Sequence, residues 1–162
     1  LSFMHKLFQT ILLSLLTLTL NASVTNPSSS YAVGDISIKS LFEMHEGFQA
    51  NYQNYNPSNL LDPALFHDIK IYVFFGTWCH DSEREVPRLL SLLSKLDVPE
   101  NNINLIGLNF MKNDLHGREV EFQIKKTPSF IFFKNQQEIG RIVEKPEISL
   151  EADLLKILGS VN

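Results

Sequence analysis

The stretch IKIYVFFGTWCHDSEREVPRLLSLLSKL, residues 69–96, changes character at Gly76 and again at Glu83. Before Gly76 the run Ile69–Phe75 is almost continuously apolar and aromatic, which fits a central strand buried on both faces. From Glu83 onward, Val86, Leu89, Leu90, Leu93 and Leu96 recur at helical spacing. Strand, short loop and helix therefore meet at residues 77–82, and the chain's single cysteine, Cys79, stands at that junction. A thiol at a helix N-terminus faces unpaired backbone N–H groups and the positive end of the helix dipole, both of which favour its thiolate. The dipole contributes roughly 0.3–1 kcal/mol, a modest activation. His80, if protonated, and Ser82, if its hydroxyl donates to the sulfur, would add to it; Asp81 and Glu83 would oppose it by repulsion. The sequence leaves the net sign open. Asp81 and Ser82 are also the residue types that accept hydrogen bonds from first-turn amides, so both fit a purely structural helix start.

Outward from this junction, residues 103–110, INLIGLNF, read as a second buried strand and residues 115–123 as a short helix. Residues 130–133 and 138–143 are strand-like and joined by 134–137, a hairpin signal that predicts antiparallel pairing. Leu150, Leu154, Leu155 and Leu158 make one helical face that stops at Gly159, a residue suited to a left-handed cap. On the N-terminal side, residues 36–48 are compatible with a helix and residues 51–63 read as a loop. The element order predicts an α/β protein, with a mixed central sheet carrying helices on both faces.

Residues 1–20 carry His5 and Lys6 and then the apolar run LFQTILLSLLTLTL. That is the layout of a secretory signal peptide, and a run of about 14 residues is shorter than the roughly 20 needed to span a bilayer. The expected organisation is a signal over 1–22, with cleavage near Ala22 and Ser23, a Ser-, Asn- and Pro-rich linker over 23–34, and one domain over 35–162. An exported chain, periplasmic or otherwise extracytoplasmic, follows, without stable membrane insertion if the signal is cleaved. The 162 residues, 44% hydrophobic and 20% charged, suit one domain. A net charge of −4 with scattered basic residues argues against a nucleic-acid partner. His5, His45, His67 and His116 show no ligand spacing, so neither a metal nor another cofactor is expected.

Several spaced features share one likeness: Trp78-Cys79 at the end of a buried strand, Pro87 inside the following helix, Thr127-Pro128 directly before a strand, and Gly140 in the hairpin. In these the chain resembles the thioredoxin family, whose redox motif is Trp-Cys-x-x-Cys. The run WCHDSEREVP resembles more narrowly a group of bacterial thioredoxin-like proteins with Trp-Cys-x-Asp-Ser. The resemblance implies a thioredoxin fold over about residues 69–159 and a cis-proline segment facing the cysteine. It further implies that Thr127 and Pro128 take an extended substrate by strand addition, with Trp78 packed beside the site.

Two departures matter: Ser82 occupies the place of the second cysteine, and Val73 stands where thioredoxin has a buried aspartate. A lone Cys79 cannot close an internal disulfide. It can attack a disulfide and hold a mixed disulfide, to be released by an outside thiol such as glutathione or a partner's own cysteine. The expected catalytic residues are thus Cys79, Ser82 and His80, and the substrate-binding residues Trp78, Thr127 and Pro128. The expected partners are protein disulfides or low-molecular-weight thiols, and a Cys79-linked dimer is left open. So is a second class, a non-catalytic module that binds extended segments as a chaperone or adaptor would. A cluster-bridging role of the monothiol glutaredoxin kind is disfavoured, because export is the wrong setting and no Gly-Gly pair follows the hairpin.

Overall fold

The computed structural model describes residues 31–160. The expected signal peptide and most of the expected linker lie outside those residues. Among the described residues, no helix is long and apolar enough to cross a membrane.

The run Ile69–Phe75 forms strand β2 at the centre of a five-stranded sheet, so the other elements are placed relative to it. On one side it pairs in parallel with β3, Ile103–Gly107, with Val73 opposite Leu105. On the other it pairs antiparallel with β4, Ser129–Lys134, with Val73 opposite Phe130. β5, Gln137–Val143, closes the expected hairpin against β4. A two-residue strand β1, Gly34–Asp35, adds antiparallel to β3 and gives the order β1-β3-β2-β4-β5.

Alternation along β2 explains why its sequence is apolar nearly throughout, with Lys70 its one charged and exposed residue. Ile69, Ile71, Val73 and Phe75 join the larger core. In that core lie α1, Ile38–Met44, α2, Glu46–Asn54, α3, His80–Lys95, and α5, Leu150–Gly159, each through its apolar face. Phe74 faces the opposite way, with Ile106, Leu108, Ile124 and Ile131, and Tyr72 and Phe122 pack against that smaller cluster. Val73 is fully buried, so its side chain is part of the packing beneath the site.

Four sequence expectations are corrected by local backbone geometry. The single helix over 36–48 is two: His45, at φ −133° and ψ 88°, ends α1 and begins α2, which runs on into the stretch read as a loop. The second buried strand stops at Gly107, because the N–H of Leu108 turns to the carbonyl of Phe75. The helix over 115–123 shortens to α4, Arg118–Glu121, flanked by left-handed residues Gly117 (φ 71°) and Gln123 (φ 54°). Gly159 is the last residue of α5, and the cap that follows, Ser160, is right-handed at φ −75°. A fifth difference bears on the site: ordered chain begins before residue 35. The N–H of Ala32 donates to Thr77 Oγ1 at 3.2 Å, and Gly107 lets the Ala32 carbonyl lie directly against its Cα.

The loop before the 3₁₀ turn Pro63–Phe66 is held by a buried carboxylate. Glu151 accepts from the Ser58 N–H at 2.9 Å and from the Tyr55 hydroxyl at 3.2 Å. Burial, reinforced by the Glu151 charge, pushes the Tyr55 phenol up to about 12.

Candidate functional site

Cys79 is the N-cap of α3. Its N–H donates to the Gly76 carbonyl at 3.0 Å and its carbonyl accepts from the Glu83 N–H at 2.9 Å, so the turn is fixed on both sides of the sulfur. The thiol is partly exposed, and its S–H donates to the Thr127 carbonyl at 3.4 Å. The Thr127–Pro128 peptide bond is cis. The neighbouring backbone is tied down as well: the Pro128 carbonyl accepts from the Glu144 N–H at 2.7 Å, and the Ser129 hydroxyl donates to the Lys126 carbonyl at 2.8 Å. Pro87 sits inside α3 and is buried; having no N–H, it leaves the preceding turn without one helical hydrogen bond.

Ser82 is buried, and its hydroxyl oxygen accepts from the Gly76 N–H at 3.2 Å. The side chain thus secures the loop that carries the cysteine. His80 is exposed at the first helical position. The two acids expected to repel a thiolate are engaged: Asp81 pairs with Arg84 at 2.8 Å, and the Glu83 carboxylate lies against the Cα of Gly47 in α2.

Trp78 donates its indole N–H to the Leu108 carbonyl at 2.9 Å and stacks on Phe110 at 4.8 Å, which in turn meets Tyr31 edge-on at 4.6 Å. Sequence reasoning missed Tyr31 and Phe110 as parts of the site, since nothing in their spacing ties them to residue 78. It also passed over Arg84 and Glu85, although they lie in the quoted motif, and Arg88 directly after it. Gly76 is needed for close approach: a Cβ there would stand 2.5 Å from the indole ring. Gly76→Ala is therefore expected to push Trp78 off Leu108 and Phe110 and to destabilise the fold by about 1–3 kcal/mol, the usual range for overpacking. Trp78 is the chain's single tryptophan, so a red-shifted emission spectrum with a lowered melting midpoint reads both effects. An unchanged spectrum would refute the packing argument.

A thiol at the head of a helix packed on the sheet, opposed by a cis-proline and set on the order β1-β3-β2-β4-β5, is a thioredoxin-like arrangement. Thioredoxin H9 of Arabidopsis thaliana is 31% identical over 96 residues, 58% of this chain and 64% of that protein, so the chain spans less than two thirds of this relative's length. A Fasciola hepatica thioredoxin structure is 15% identical, covering 61% of this chain and 89% of its own, at a TM-score of 0.41. A Pseudomonas aeruginosa protein of unknown function is 16% identical, covering 78% and 99%, at a TM-score of 0.48. No family model matches the chain.

Proposed function

We propose that the protein is an exported thiol-disulfide oxidoreductase that works through Cys79 alone. The observation that carries this reading is the pairing of a partly exposed sulfur at the α3 N-cap, against Thr127-Pro128, with a buried Ser82 where a second thiol would stand. Export is supported by the apolar run within residues 1–20. The Cys79 thiolate attacks one sulfur of a substrate disulfide, forming a mixed disulfide and expelling the other sulfur as a thiolate. An outside thiol then takes the substrate sulfur into a new disulfide and Cys79 leaves as a thiolate.

Mass spectrometry of the native protein after incubation with glutathione disulfide tests this. One glutathione per chain is expected, removable by excess thiol and absent from Cys79→Ser. An adduct that forms only after unfolding would overturn the reading.

A second reading is favoured by Phe110 and Met111, which are 55% and 79% exposed where the chain passes Trp78. An apolar rim of this kind suits a non-catalytic module for extended segments. That module's peptide binding would fail in Pro128→Ala but survive Cys79→Ser, the substitution that abolishes the thiol chemistry.

A further inference from the structure

The loop that carries the sulfur, residues 76–79, is tied at every residue, and two of the ties come from outside the strand and helix it joins. Gly76 is held by the Ser82 hydroxyl and Cys79 by the Gly76 carbonyl, both within the β2-loop-α3 unit. Thr77 and Trp78 reach elsewhere. Thr77 Oγ1 accepts from the Ala32 N–H at 3.2 Å, across 45 residues of sequence. Trp78 is held by the Leu108 carbonyl and the Phe110 ring, and Tyr31 meets that ring edge-on. Both paths therefore end on the strap formed by residues 31–36.

That strap has little freedom of its own. Gly34 and Asp35 pair with Gly107 and Ile106 as β1, and the Ile36 N–H donates to the Leu105 carbonyl at 3.1 Å. Asp35 accepts from Arg118 at 2.6 Å, and Arg118 is fixed in turn by the fully buried carboxylate of Asp114. Gly107 leaves no room for a Cβ beneath the Ala32 carbonyl, and the Leu115 side chain lies against Gly34. The strap is thus a rigid reference against which residues 77 and 78 are set. Cys79 follows directly, its sulfur 3.4 Å from the Thr127 carbonyl. One hydrogen bond from the half-buried Ala32 N–H adds little to the fold beside the apolar surface that β2 and α3 bury. Its geometric effect is larger, because a displacement of about 1 Å can slow a reaction about a hundredfold.

We propose that Thr77 is a positioning residue which, with Tyr31, uses this strap to hold Cys79 in line with Thr127-Pro128. An extended peptide disulfide lying along those two residues then meets the sulfur in the attacking geometry. The inference rests on the monothiol reading above and adds a selectivity to it. The brace serves substrates long enough to lie on Thr127-Pro128, whereas a small disulfide reaches the partly exposed sulfur from any direction.

Two mixed disulfides with one leaving group separate alignment from thiol reactivity: thionitrobenzoate joined to an extended cysteine peptide, and thionitrobenzoate joined to 2-mercaptoethanol. In each, the Cys79 thiolate bonds to the peptide or mercaptoethanol sulfur, the original S–S bond breaks, and thionitrobenzoate leaves with the electron pair and is read by its absorbance. The native protein is expected to favour the peptide probe. In Thr77→Val, which keeps the shape and loses the acceptor, the ratio of the two rate constants is expected to fall roughly tenfold. The mercaptoethanol rate and the melting midpoint should change little, and Thr77→Ser, which keeps the hydroxyl, should stay near the native ratio. A merely destabilised fold would move both rates together. Tyr31→Ala, at a ring 38% exposed, is expected to lower the ratio in the same direction and reports even if Thr77→Val folds poorly. An unchanged ratio in folded Thr77→Val or in Tyr31→Ala, or no preference for the peptide in native protein, overturns the assignment. The monothiol reading survives alone if both probes still label Cys79 in that case. Failure of both probes to label native Cys79 overturns the two together.

Discussion

Ser82→Cys is expected to convert the one-thiol site into a pair that closes on itself. Residues three apart on a helix hold their Cβ atoms about 5–6 Å apart, and disulfides form across Cα separations of about 4.4–6.8 Å. Cys79 at the N-cap and residue 82 in the first turn of α3 meet that requirement with little backbone movement. The substitution also has a cost. Ser82 is fully buried and its oxygen accepts from the Gly76 N–H; sulfur is a weaker acceptor, so about 1 kcal/mol of stability is lost in the reduced form. The closed disulfide returns some of this by constraining the unfolded chain, although the loop is short and the gain correspondingly small. Thiol titration is the direct readout: two titratable thiols after reduction and none after mild oxidation, with the protein still monomeric. Two thiols persisting under oxidant, or covalent dimers in place of the internal bond, would show that the sulfur of Cys79 points away from residue 82. The variant should also reduce protein disulfides without an added releasing thiol, which the native site cannot do under the monothiol scheme.

Much of this was legible in the sequence because β2 and α3 write their environments plainly. A strand covered on both faces is apolar wherever it is buried, as β2 is at Ile71, Val73, Phe74 and Phe75. A helix with one buried face repeats leucine at 3.6-residue spacing, as Leu89, Leu93 and Leu96 do. Cys79, Thr127 and Pro128 could be brought together in advance only because the thioredoxin-like pattern joins segments that are distant in sequence. Other features had no such signal. The break at His45 depends on one residue's φ and ψ, and the aromatic contacts from Trp78 through Phe110 to Tyr31 depend on how two loops cross. Ser82 was read either as a donor to sulfur or as a helix-start residue, and neither reading named the contact the fold shows, in which its oxygen accepts from the Gly76 N–H. The charged residues of WCHDSEREVP look like a solvated helix face in one dimension. Only the fold shows that Glu85 is turned inward while Asp81 and Arg84 stay at the surface of the same turn.

The largest loss of stability is expected from Phe75→Ala. Phe75 is the last residue of β2, has no exposed surface, and packs its ring against Phe48 of α2 at 5.8 Å between centroids. Its backbone is committed too: its carbonyl accepts from the Leu108 N–H at 2.7 Å, and it lies in register with Gly107 of β3. The surrounding sheet therefore cannot collapse into the space that a missing ring leaves. Phenylalanine-to-alanine changes at such sites destabilise by about 3–5 kcal/mol, a large part of the 5–15 kcal/mol typical of whole domains. At about 2–4 °C per kcal/mol for a chain of this size, the melting midpoint should fall by roughly 10 °C. Phe110→Ala is the control, since that ring is 55% exposed and bridges Trp78 to Tyr31 on the surface. It removes similar chemistry from a place where most of the ring already meets water, so its thermal cost should be a small fraction of that at Phe75. Chemical denaturation of the two variants side by side decides the point. Equal losses would mean that the Trp78–Phe110 stack is as integral to the core as β2 itself, and that the loop bearing Cys79 is held from outside rather than from beneath.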